Sequence, residues 1–174
     1  MKQPFQEEQV NFILQTITNN KTVYQRKEDI GLAIGLAKGL GKICCGKGVV
    51  LGEAVPVEFV QLLTSYIMSN KSGKPDEDGT YIVLELFVKL TECNPQNKII
   101  LASIITPDVE LFMINNYMHD GLLSSIVLKL LEHYPHQATV NTIANTLLTG
   151  HIREEKYCEL IATWLKSSTL SLTS

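Results

Sequence analysis

The chain has 174 residues, 45% of them hydrophobic and 19% charged, with 15 Lys+Arg against 18 Asp+Glu. That length suits one domain or one block of a repeat array, and the apolar fraction excludes intrinsic disorder. A formal charge of −3 and 7% aromatic residues argue against a general nucleic-acid binder, which needs a basic surface and stacking platforms.

Nearly every segment reads with helical period. Pro4, Glu7 and Glu8 suit a helix start, and Val10, Ile13, Leu14 and Ile17 form an apolar stripe that Asn19 and Asn20 interrupt. Met1 to Gln9 contains Lys2, Glu7 and Glu8 and no apolar run of a secretory leader. A second helix is predicted from about Val23 to Cys45, with Ile30, Ala33, Ile34, Ala37, Leu40 and Cys44 on related faces. Gly46 to Gly52 reads as a turn region. Pro56 then opens a third helix carrying Phe59, Val60, Leu62, Leu63, Tyr66 and Ile67.

The polar run Ser69 to Gly79 reads as an exposed loop. Tyr81 to Leu90 is apolar enough for a strand, but Ile82, Leu86 and Leu90 keep helical spacing behind the acidic entrance Asp76, Glu77 and Asp78. Asn94 and Pro95 end that helix and start another through Ile105. Thr106, Pro107 and Glu110 form a start signal for the next. Helices are predicted over Pro107 to Met118, Gly121 to His133, His136 to Thr149 and Arg153 to Lys166, followed by a frayed tail over 167–174. No strand pair with a hairpin turn is present in the sequence pattern. The fold class is all-α.

An internal repeat refines that reading. Phe87 to Pro95 (FVKLTECNP) aligns with Val127 to Pro135 (VLKLLEHYP) at an offset of 40 residues, the distance from Lys89 to Lys129. Lysine, leucine, glutamate and proline coincide, and Ile82, Val83 and Leu86 correspond to Leu122, Leu123 and Ile126. On these residues the chain resembles an armadillo/HEAT-type α-solenoid, whose repeats run to about 40–47 residues. The resemblance covers about Gly79 to Leu148, with repeat units near 79–118 and 119–158. It implies a right-handed stack of about eight helices over one domain, 1–166, with an extended binding surface. The glycine-bearing second helix has no counterpart 40 residues on, as an atypical end unit would have it.

Candidate chemistry is sparse. Gly41 to Gly48 (GKICCGKG) has the G-x-x-x-x-G-K spacing of a phosphate loop, but Gly48 stands where Ser or Thr would hold magnesium, and no strand precedes it. A helix C-terminus with lysines near its negative end is the simpler reading. Gly31, Gly35 and Gly39 lie along one helix face. Close approach of a neighbouring helix explains them most simply, and a groove for a partner helix is the sharper alternative. Lys38 and Lys42 suit a solvated helix end or an acidic partner. Trp164, the single tryptophan, reads as core or as part of a docking surface.

Cys44, Cys45, Cys93 and Cys158 form neither a disulfide framework nor a zinc pattern and read as small buried residues. His133 and His136 flank Pro135 at a helix junction and do not share a face as metal ligands would. Asp76, Glu77 and Asp78 lack the glycine and distal glutamate of a calcium loop. Ser124 and Cys158 sit in no nucleophile signature.

The expectation is a non-catalytic protein-interaction module without cofactor or metal, a segment of a larger intracellular scaffold in cytoplasm or nucleus. Its partner is a protein presenting a peptide or amphipathic helix, not a membrane and not nucleic acid. The contact candidates are Gly31, Gly35, Gly39, Lys38, Lys42 and Trp164. The alternatives are a nucleotide-binding protein using Gly41 to Gly48, or a compact bundle that homo-oligomerises.

Overall fold

Prolines, caps and apolar stripes set the helix boundaries in the computed structural model, which describes residues 12, 15, 16, 19, 30–43, 55–69, 77–118, 121–148 and 155–166. The helices are α1 (Ile30–Ile43), α2 (Val57–Ser69), α3 (Glu77–Cys93), α4 (Pro95–Ile104), α5 (Pro107–Tyr117), α6 (Gly121–Leu131), α7 (Gln137–Leu148) and α8 (Glu155–Leu165). Residues 12, 15, 16 and 19 are also helical, and no strand occurs among the described residues. The fold is all-α.

The described residues divide into two compact units between Ile104 and Ile105. The repeat unit predicted near 79–118 spans that division. In the first unit α1 packs on α2 and α3, while α4 packs on α2 and α3, which also touch each other. In the second, α5 packs on α6 and α7, and α8 packs on the same two helices. Within each unit, then, every helix meets its next-but-one neighbour as well as a sequential one.

Helix α3 shows why its sequence tempts a strand assignment. Thr80, Val83, Leu84, Leu86, Phe87 and Leu90 are all buried, because helices press on it from three sides. Its buried Thr91 hydroxyl donates to Phe87 O at 2.8 Å, so the polar group enters the core satisfied. The acidic run opens α3 as expected, but the helix starts at Glu77 and takes in Gly79, which is buried and not part of an exposed loop.

The aligned repeat segments share a burial register. Val83, Leu86, Phe87 and Leu90 are buried, as are Leu123, Ile126, Val127 and Leu130 at the offset of 40, while Glu92 and Glu132 are exposed. Helix α4 starts at the first proline. After α6 a turn through Tyr134 precedes the second proline, and α7 begins two residues beyond it.

Polar anchors fix both units. In the first, the buried Asn97 side chain accepts from Val55 N at 2.9 Å, tying the entrance of α2 to α4. In the second, Trp164 Nε1 donates to Leu131 O at 2.8 Å, and Tyr157 packs its hydroxyl 3.5 Å from Ile114 O. The Thr106 cap works as its sequence predicts, accepting from Val109 N at 3.4 Å with Pro107 in the first turn.

Replacing Asn97 by alanine leaves the buried Val55 amide without its acceptor. The expected cost is about 1–3 kcal/mol of stability, read as a lower urea midpoint by circular dichroism.

Candidate functional site

The face of α1 turned away from its neighbours is the candidate contact surface. Ala33, Ala37 and Leu40 are fully buried and define the packed side. At about 100° per residue, Gly31, Gly35 and Lys38 fall on the opposite side, and all three are exposed. Leu32, 43% exposed, borders this face, with Gly39 half-buried beside it. Lys42 belongs to the last turn of the helix and shares this register, though its side chain lies outside the described ones.

This geometry corrects the simplest reading of the glycines. A Cβ built at Gly31 or Gly35 meets no atom within 4 Å. The small residues on the packed side are Ala33 and Ala37, four apart, so alanine and not glycine faces α2 and α3. Exposed glycines weaken a helix by about 1 kcal/mol each relative to alanine. Among the described residues, no packing offsets that cost at Gly31 and Gly35.

Trp164 is removed from the contact set. It is 1% exposed and its indole nitrogen is bonded within the unit, so it is a core residue. The structure therefore brings together Gly31, Gly35, Lys38 and, at the edge, Gly39 and Leu32. Of the phosphate-loop spacing, Gly41 to Ile43 are described and continue α1, while 44–48 lie outside the described residues.

Other sequence candidates separate. Cys158 is an exposed free thiol, contrary to the expectation of burial, and Cys44 and Cys45 lie outside the described residues. Ser124 is fully buried. His136 Nε2 lies 2.9 Å from Ile105 O and donates to it, since a carbonyl only accepts. His133 meets the neighbouring Tyr134 ring edge-on. No group of three His, Cys, Asp or Glu side chains capable of holding a metal occurs among the described residues. No single helix among them is long and apolar enough to cross a membrane.

One polar pair was not foreseen. Glu110 is completely buried in α5, and its Oε1 accepts from the buried Thr139 hydroxyl of α7 at 2.8 Å. The other oxygen, Oε2, has no hydrogen-bond partner. Burial pushes the carboxyl up from 4.5 to about 9, with the Thr139 bond partly opposing it. The sequence reading took Glu110 as a helix-start residue. The available signal was its register with Met113, Ile114 and Tyr117, all buried, which puts it at the head of an inward stripe.

Comparison with protein-family models, with curated proteins and with solved structures gives no match.

Because the Cβ positions are open, Gly31→Ala and Gly35→Ala are expected to stabilise the fold by about 0.5–1 kcal/mol each. Urea unfolding of the single variants measures this. Destabilisation would mean that these glycines are needed for packing after all.

Proposed function

We infer that the chain is a non-catalytic protein-interaction module of the armadillo/HEAT type, which binds a peptide or amphipathic helix of a partner. The observation that carries this reading is the open glycine face of α1. Two glycines stand on an exposed helix surface where they weaken the helix and relieve no clash. A flat backbone strip of this kind lets another helix approach closely, and the Leu32 edge adds apolar area. Exposed Lys38, with Lys42 in the same register, favours a partner segment that carries acidic residues along its flank.

The repeat supports the solenoid side of the reading. Segments 40 residues apart bury four matching apolar positions, and helices in each unit pack on next-but-one neighbours as stacked helix pairs do. A sequential up-down bundle would instead favour contacts between consecutive helices and between first and last. Binding along an exposed helix face requires no converging catalytic groups, which fits a scaffold segment.

The test is Gly35→Leu in the full chain. A leucine there projects into open space, so the melting midpoint should stay within about 2 °C of wild type. Affinity-captured wild-type chain should retain a reproducible protein partner that Gly35→Leu loses. Sedimentation run in parallel identifies the occupant: a wild-type dimer broken by Gly35→Leu would make a second copy the partner. Equal capture by both forms would overturn the assignment of this face.

A further inference from the structure

We propose that Glu110 and Thr139 form a protonation-dependent latch in the second unit: α7 closes on α5 over a protonated carboxyl, and rising pH loosens that closure.

The geometry leaves the carboxyl little alternative. Glu110 has no exposed surface, and its one hydrogen bond is the 2.8 Å contact that Thr139 donates to Oε1. Oε2 faces no hydrogen-bonding group. An ionised carboxylate in such a site needs a cation or several donors, and one hydroxyl supplies neither.

Among the described side chains, the surrounding elements contribute no compensating charge. Helix α7 contains no titratable residue along its length. The only one on α6 is Lys129, which is exposed in the last turn. Within α5, Asp108 is exposed and carries the same sign of charge. On α8, Glu155, Cys158 and Glu159 are exposed and Tyr157 directs its hydroxyl to Ile114 O. His136, just before α7, uses Nε2 on Ile105 O. That second bond joins the same two segments, so α5 and the start of α7 are clasped at both Ile105 and Glu110.

The direction of the effect follows from linkage. The folded chain holds the Glu110 proton up to about pH 9, whereas an opened α5 releases it near the ordinary 4.5. The proton's contribution to stability is therefore complete below pH 4.5 and declines as pH rises, until it is lost at about 9. Between those limits the opening equilibrium should gain close to tenfold per pH unit. The window includes neutral pH, so the closure responds to modest changes around it.

Trp164 is the only tryptophan and is buried in this unit, so its fluorescence reports unfolding there. Denaturant unfolding of wild type and Glu110→Gln should be followed from pH 5 to 9. Glutamine keeps an acceptor for Thr139 but cannot ionise. The expected result is that the wild-type unfolding constant climbs relative to the variant by up to tenfold per pH unit, making Glu110→Gln the more stable chain at alkaline pH. Parallel pH profiles would overturn the latch. Carbon-13 NMR of glutamate carboxyls in the wild type gives a second readout that needs no variant. One carboxyl should fail to titrate near 4.5, and ordinary titration of all of them would likewise overturn the proposal.

Discussion

Lateral burial is the constraint on which everything else in this chain depends. Its eight bounded helices among the described residues run from 10 to 17 residues, near or below the length at which an isolated helix holds in water. None is therefore secured by its own hydrogen bonds, and each needs an apolar face covered by neighbours. The next-but-one contacts in each unit supply that cover. Every side chain at a helix interface consequently carries weight, and any polar group there must arrive with a partner. Thr91 and Trp164 do so through hydrogen bonds of 2.8 Å, while Asn97 does so through its oxygen alone, at 2.9 Å, its Nδ2 having no hydrogen-bond partner.

Much of this was legible in the sequence because the strongest signals are local. Pro56, Pro95 and Pro107 mark the entrances of α2, α4 and α5, and the Thr106 cap bonds where its position says it should. Hydrophobic period located the helices from α1 onward, even for α3 with its β-branched residues. The pattern does not reveal what each face meets. Three glycines on one face of α1 suggest close packing, yet the residues that turn inward are Ala33 and Ala37. A one-dimensional pattern gives the angle between two faces, and only tertiary contacts decide which is covered.

Glu110 and Trp164 illustrate the same limit from opposite sides. An acidic residue in a first helical turn has a sufficient local explanation in the helix dipole, and although its register with Met113, Ile114 and Tyr117 hints at burial, nothing local points to Thr139 in a helix two elements later. Burial here outweighs the dipole. Lone tryptophans are equally at home in cores and at interfaces, and the deciding fact is a bond to Leu131 O, 33 residues away. Both assignments turn on long-range pairings that no local window contains. The repeat fares better because a fixed offset is itself a long-range signal, and four of its matched apolar positions are buried in both copies.

Local rules are broken most plainly on α1 and in α5, and the violations differ in kind. On α1, glycines occupy exposed helix positions where alanine would hold the helix more firmly. In α5, an acid lies in an interior that leaves one oxygen unbonded. Departures from local consistency concentrate where function or switching overrides stability. A glycine strip on the outside can ease close approach only for something arriving from solvent, which is why the proposed binding surface is placed there. A buried acid acts only when its own helices part, so its consequence is a stability that depends on protonation. The first violation thus concerns only the outer face of α1, and the second ties the stability of the second unit to protonation.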